Sequence, residues 1–277
     1  MLEKNAENME KSLKMAGFCD AHFHYAVCLE REAELEVNWQ ALSCAHSIEE
    51  WEVQVGAPAG VKMAFGLHPQ ASAMADFDVK KNADFLEGLL RGREEALAGG
   101  LGALSASSQP FINAIGEAGF DYFTPDFREK SQLQEEMWNI QLELAEQYKM
   151  PLVVHCRKAN EKLFEYAPWL KKLPAVLFHS FMGSLVEANS LISRGINCFF
   201  SFGKQMLNGN KKVIECVKEL PLENLLLETD APFQTLKGEA FTRACEIERV
   251  YEAAEKIRGI SLDQLIPLMK RNFTNFL

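Results

Sequence analysis

Six residues whose types suit a divalent metal ion are spread along this chain: His22 and His24, then Glu117, His155, His179 and Asp230. In an extended strand residues i and i+2 share a face, so His22 and His24 can aim two imidazoles at one cation from a single strand end. Further ligands must come from elsewhere. Residues 112–116 lead into Glu117, 151–154 into His155, 175–178 into His179, and 225–227 into Glu228-Thr229-Asp230. Each is a short apolar run followed by a chemically capable residue, as when parallel strands deliver their last side chains to a shared rim. A lone strand-end histidine is more often a hydrogen-bonded rim residue than a ligand, and it is the joint occurrence that argues for metal. Four histidines and two carboxylates exceed the needs of one tetrahedral ion, because a catalytic zinc typically keeps about three protein ligands and an open position. Two adjacent ions sharing a carboxylate use the set better. Imidazole suits zinc or manganese and oxygen-rich phosphoryl chemistry often uses magnesium, so the donor set admits all three.

Length and composition bound what can carry such a site. At 277 residues the chain matches a barrel of about 250 residues better than a pair of domains. A hydrophobic fraction of 48% supports a large core, and no apolar run approaches the ~20 residues that span a membrane. Residues 1–16 are polar and charged without an apolar h-region, which is not a secretory signal, and a cytoplasmic protein is expected. Seven cysteines with no Cys-x-x-Cys pair read as buried free thiols. Cys156 adjoins His155 but should face the opposite way by strand alternation. The net charge of −10 argues against a protein that coats nucleic acid nonspecifically. It leaves a phosphodiester substrate open, since metal ions supply local positive charge.

The elements that would position these residues alternate. Strands are predicted over 18–22, 39–44, 61–66, 111–116, 151–155, 175–179, 196–201 and 224–229, the second being short and ambiguous. Helical patterns fall at 127–148, 161–171, 184–194, 204–219 and 240–258, with a last helix after Ser261. Eight strand–helix units imply an α/β fold, a single (β/α)8 TIM-type barrel spanning 17–277 with the metal site at the C-terminal strand ends. Gly195 is placed as a left-handed C-cap and Pro151 as a strand opener. The glycine- and serine-rich stretch 99–108 reads as a loop. Residues 1–16 form an N-terminal extension with helix-compatible Met9, Leu13 and Met15.

Together, segments 20–24 (Asp-Ala-His-Phe-His), 66–69 (Gly-Leu-His-Pro), 115–122, 141–157, 179–184 and 226–232 (Leu-Leu-Glu-Thr-Asp-Ala-Pro) resemble the TatD family of metal-dependent deoxyribonucleases, within the amidohydrolase-like barrel group. They occur in family order and cover nearly the whole chain after Gly17. The resemblance implies that His22, His24, Glu117 and Asp230 hold one divalent ion, and that Glu117 also reaches a second held by His155 and His179. It implies that Asp230 orients the attacking water as well as ligating. Two departures bear on substrate preference: Lys158 stands where members often carry Asp, and Met182 where they carry a small or hydroxylated residue. The extension before Asp20 has no counterpart in the typical member.

The implied reaction is metal-dependent hydrolysis of DNA phosphodiester bonds, exonucleolytic on single strands or ends, with Asp230, Glu117 and His68 as catalytic residues. His68, in the turn after the third strand, is assigned phosphate contact or proton transfer, against a purely structural turn histidine. Arg157 could grip phosphate bidentately or form a salt bridge below the rim. Lys204, just after the seventh strand, could touch the nucleic-acid backbone, whereas Lys211 and Lys212 read as a solvated helix face. Phe120, Tyr122 and Phe123 could stack on a base or pack loop against barrel. A small-molecule amidohydrolase or lactonase on the same barrel is the rival reading, since one fold supports many chemistries. A non-catalytic scaffold should show an eroded ligand, and none is visible. DNA is the expected partner, with neither a membrane nor an obligate protein partner indicated.

Overall fold

A computed structural model describes residues 17–32, 34–99 and 111–277. The expectations for residues 1–16, and for nearly all of the 99–108 loop, fall outside the described residues. Eight strands form one parallel sheet in sequential order: β1 Cys19–Phe23, β2 Gln40–Ala45, β3 Val61–Phe65, β4 Ile112–Asp121, β5 Leu152–Arg157, β6 Val176–Phe178, β7 Cys198–Phe202 and β8 Leu225–Leu227. Just beyond β8 the chain returns to β1. The Asp230 N–H donates to the His22 carbonyl at 2.9 Å and the His24 N–H to the Ala231 carbonyl at 2.8 Å. Buried Asp20 ties the same seam, accepting from the Thr229 N–H at 2.9 Å and its hydroxyl at 2.6 Å. The chain therefore folds as the expected (β/α)8 barrel, and the ambiguous second strand is a full member.

The interior is filled by alternate residues of every strand, among them Cys19, Ala21, Leu42, Cys44, Ala64, Ala114, Val153, Leu177, Phe199 and Leu226. Such layered side chains make the barrel a packed core with a working face only at the strand ends. Two strands break the alternation. Register slips between Asp20 and Phe23 in β1, and twice in β4, between Ile112 and Ala114 against β3 and between Ile115 and Ala118 against β5. A bulge re-aims the residues beyond it. The slips at 20–23 and 115–118, where three residues oppose two, lie beside His22 and Glu117, two ligand candidates.

The outer layer comprises α1 Tyr25–Arg31, α2 Ile48–Gln54, α3 Val79–Ala98, α4 Pro125–Glu129, α5 Ser131–Tyr148, α6 Asn160–Glu165, α7 Ala167–Leu170, α8 Leu185–Ser193, α9 Lys211–Glu219, α10 Ile247–Arg258 and α11 Leu262–Phe276. The predicted 184–194 helix is α8, opened by a reciprocal Ser184–Glu187 capping box and closed by Gly195 at φ 81°. The predicted 204–219 helix is divided: Gly209 takes φ 69° and Asn210 then caps α9 by accepting from the Lys212 and Val213 N–H groups. Likewise 240–258 becomes α-helical only from Ile247, because residues 231–246 form a strap past the barrel mouth that holds only a single 3-10 turn at Ala244–Glu246. Helices α1 to α3 were not anticipated. The first two have only seven residues each, and α3 buries a single stripe, Asn82, Leu86 and Leu90. No helix among the described residues is long and apolar enough to cross a membrane.

Candidate metal centre

Glu117 sits where β4 runs against β5 at a distance that excludes side chains. At Gly116 (φ 145°) an added Cβ would lie 2.6 Å from the Val153 Cβ, and at Gly119 (φ 145°) only 1.9 Å from the His155 carbonyl oxygen. Glycine is required at both positions. The bulge between them turns Glu117 inward, 2% exposed, into a shell of imidazoles. The chain has six histidines, and all six approach this one carboxylate or its immediate partners.

Oε1 of Glu117 faces the β1–β8 seam. His22 Nε2 lies 3.2 Å from it and His24 Nε2 3.5 Å, while Asp230 Oδ1 is 3.5 Å from the first ring and 3.3 Å from the second. The two Nε2 atoms are 3.2 Å apart. His24 Nδ1 lies 3.1 Å from the Cys44 carbonyl and must carry a hydrogen, so its Nε2 turns a lone pair toward the others. His22 Nδ1 contacts the Cys44 thiol at 3.3 Å. Lone pairs and carboxylate oxygens converging at these separations are what a cation holds together, since ligands about 2.1 Å from an ion stand roughly 3.0–3.4 Å apart. The residues present thus fit a divalent metal.

Oε2 faces β5 and β6. His179 Nε2 is 2.5 Å away, His155 Nδ1 3.2 Å and His68 Nε2 3.7 Å, with His155 Nδ1 and His179 Nε2 separated by 3.2 Å. Here the ring is oriented from behind by a carboxylate: His155 Nε2 donates to Asp121 Oδ2 at 3.2 Å, and Gln70 Nε2 donates to the same oxygen at 2.7 Å. Such a partner fixes tautomer and ring plane and raises ligand basicity.

The electrostatics follow from packing opposite charges out of water. Burial alone would raise the Glu117 carboxyl, but His179, His22 and His68 hold it well below the usual range. Burial would lower His22, and Cys44, Glu117 and Asp230 outweigh it, leaving the ring well above its ordinary value. Burial is likewise overcome at His155, where Asp121 and Glu117 push the ring up to about 9. It prevails at His179 and His68, which fall to about 4 and about 3. Asp230 is held below the carboxylate range against its burial by His22 and His24. It adopts φ 52°, a left-handed conformation that aims its side chain back at the seam. Behind it, Gln234 donates to Asp230 Oδ2 at 3.0 Å and to Glu228 Oε1 at 3.1 Å, and burial pushes Glu228 up to about 8.

The predicted ligands other than fully buried His22 line a cavity of about 430 Å³ whose walls include Gln70, Arg157, Ser180, Met182, Gln205 and Phe233. All six predicted ligands meet around Glu117, as does His68. Arg157 reaches the mouth with its guanidinium 3.6 Å from the centre of the Phe123 ring, itself half exposed. Lys204 does not reach the cavity. It is fully buried, its ammonium ion-paired with Glu239 and with Glu246 at 2.9 Å and hydrogen-bonded to Thr242 at 3.1 Å. That corrects its expected backbone contact, since a lysine so enclosed anchors the 231–246 strap instead. Phe120 is also buried, against Trp138 and Tyr166, so of the three aromatics Phe123 presents the most open face. Cys156 lies on the cavity wall, its thiol 3.7 Å from Asn160 Oδ1, and among the described residues belongs to none of the clusters that could hold an ion.

Sequence reasoning missed His46 and Asp121. His46 follows β2 in the inward phase set by Leu42 and Cys44, and its Nε2 stands 2.7 Å from Glu117 Oε1. The strand-end rule that found the others applies equally here, and only the weak reading of β2 hid it. Asp121 was legible as an acid in the same strand as Glu117, but its partnership with His155 depends on the β4–β5 register.

Comparison with known proteins agrees with this geometry. The model of the TatD related DNase family matches residues 19–277. An uncharacterized metal-dependent hydrolase of Mycoplasma genitalium is 33% identical over 183 residues, 64% of this chain and 62% of that protein. The 3′-5′ ssDNA/RNA exonuclease TatD of Escherichia coli is 34% identical over 131 residues, 47% of this chain and 50% of that one. The chain thus spans between half and about three-fifths of these curated relatives' own length. Among solved structures, the TatD homologue YjjV of E. coli superposes with a TM-score of 0.73 at 25% identity, covering 95% of this chain and 98% of that one.

Proposed function

This chain belongs to the TatD-related DNase family, and from that premise we propose that it is a metal-dependent phosphodiesterase that removes nucleotides from the ends of single-stranded DNA. The observation that carries the reading is the Glu117 carboxylate with imidazoles approaching both oxygens, a bridge suited to two neighbouring ions. His22, His24 and Asp230 would complete the Oε1 side, and His155 and His179 the Oε2 side. Bound there, the ions supply Lewis acidity for water activation and neutralise charge building on phosphate oxygens. Magnesium, manganese and zinc are all compatible with the donors.

The chain's own groups do the rest. Asp230, held ionised by its histidine neighbours and steered by Gln234, accepts the proton of the attacking water through its carboxylate. His68, kept neutral by burial, offers a ring nitrogen beside the Oε2 side for a phosphate oxygen or the departing group. Arg157, pre-oriented over Phe123, gives planar donors for a flanking phosphate. The exposed part of Phe123 offers an unpaired base a stacking surface. The E. coli relative, a 3′-5′ ssDNA/RNA exonuclease by name, supports the substrate class.

The test is cleavage of end-labelled single-stranded DNA by metal-stripped protein, with magnesium, manganese or zinc restored, beside Asp230→Asn. Metal-dependent shortening from an end that disappears in the variant is the expected result. Stoichiometric metal binding by folded protein without cleavage under any metal would defeat the nuclease reading and favour a small-molecule hydrolase.

A further inference from the structure

His46 lies outside the segments that carry the family resemblance, yet its Nε2 is the nearest imidazole nitrogen to Glu117 Oε1, at 2.7 Å, ahead of His22 at 3.2 Å and His24 at 3.5 Å. It reaches that place for local reasons. Leu42 and Cys44 point into the barrel, so the next inward position of β2 is residue 46, just past the strand end. There its backbone N–H is pinned by Glu50 Oε2 at 2.8 Å, and Ser47 caps α2 by accepting from the Glu50 N–H at 3.1 Å. The ring is fixed edge-on to His24 (centroids 4.8 Å) and tilted over His68 (4.4 Å). Its side chain is 21% exposed, against 0% and 2% for His22 and His24, so it stands between the centre and the cavity mouth.

We propose that His46 is a further ligand of the metal centre, binding through Nε2 the ion on the Oε1 side of Glu117. An imidazole aimed at a carboxylate oxygen has two uses, as N–H donor to that oxygen or as co-ligand of a shared ion. Its ring nitrogen, that of His24 and a Glu117 oxygen all lie within 4.8 Å of one another, a span one cation can bridge, and His24 already presents a lone pair there. The Oε1 side then carries three imidazoles and two carboxylates, a set that favours manganese or zinc over magnesium, which prefers oxygen donors and retained water. This inference rests on the metal centre of the proposed function but not on its substrate.

The experiment is titration of metal-stripped, full-length protein with Co(II), reading the visible ligand-field spectrum and affinity by competition with a chelator, for wild type, His46→Ala and His46→Gln. Glutamine keeps an N–H within reach of Glu117 but replaces a strong imidazole ligand with a weak amide. Ligation predicts that both variants lose about tenfold or more in affinity for one ion and shift the spectrum, with thermal unfolding of the metal-free proteins unchanged. Wild-type affinity and spectrum in His46→Ala, or their full restoration in His46→Gln, would overturn ligation, the latter reducing His46 to a hydrogen-bond donor. Should the variants fail to fold, NMR of cadmium-loaded wild type decides instead: a ring nitrogen bound to the ion shows one-bond metal coupling, and its absence at His46 overturns the proposal. Because every readout is metal binding, a negative result leaves the DNA cleavage test independent.

Discussion

The two oxygens of Glu117 look into different kinds of site. On the Oε1 side His22 and His24 are buried, they are joined by a second carboxylate from Asp230, and their far ring nitrogens rest on the Cys44 carbonyl and thiol. On the Oε2 side the His155 side chain is 15% exposed, and the other carboxylates in reach among the described residues, Asp121 at 3.2 Å and Glu228 at 4.0 Å, face the far nitrogens of His155 and His179, so orientation comes from the Asp121–Gln70 pair. The far nitrogen of His179 has no hydrogen-bond partner among the described residues, with Glu228 Oε1 4.0 Å away. The seam where the barrel closes therefore offers a dense, charge-rich pocket, and the β5–β6 side a more open one. A tightly held ion is expected at the first and an exchangeable, substrate-facing ion at the second.

Glu117→Gln should have the largest effect, because it removes the group both sides share. Loss of stabilisation of several kcal/mol corresponds to a fall in cleavage of about a thousandfold, with elemental analysis showing both ions depleted. The asymmetry is next. Asp230→Asn should empty the Oε1 side and His155→Ala only the Oε2 side, and manganese calorimetry showing the same site lost in both variants would break the comparison. Asp121→Asn touches an orienting partner only, so the Oε2-side affinity should drop about 10–100-fold while the other ion stays.

The pH dependence sharpens the contrast further. His155, pushed up to about 9, carries a proton in the metal-free fold; that proton's contribution to stability is complete below about 6.5 and is lost as pH rises through about 9. An ion needs the same lone pair, so its affinity runs the other way, rising about tenfold per pH unit for each proton displaced and levelling above about 9. Chelator competition between pH 6 and 10 measures this slope. The smallest effect is expected of Phe123→Ala, which should raise KM for single-stranded DNA by about fivefold, the low end of stacking energies because Arg157 already covers one face. Metal affinity should not move.

Much of this was legible in the sequence, for a physical reason. Apolar runs ending in His, Glu or Asp mark parallel strands whose last residues share a rim, which fixed the barrel and all six ligand candidates at once. What stayed hidden depended on register or on loop course. The bulges in β1 and β4 cannot be read from alternation because they are departures from it, although Gly116 and Gly119 mark the tight approach that accompanies one of them. Lys204 follows a strand end as the ligands do, and only the strap from 231 to 246, folding its acids over the ammonium, distinguishes an anchor from a substrate contact. His46 went unread because β2, with Gln40 and Ser43 among its few residues, lacks the apolar run of its neighbours.

The most direct test of the central claim is a crystal of the protein soaked in manganese and examined for anomalous scattering. The account predicts two peaks bridged by Glu117, one within ligand distance of Oε1, His22, His24 and Asp230, the other of Oε2, His155 and His179. A single peak confined to one side at saturating metal, or peaks that avoid Glu117, would contradict it.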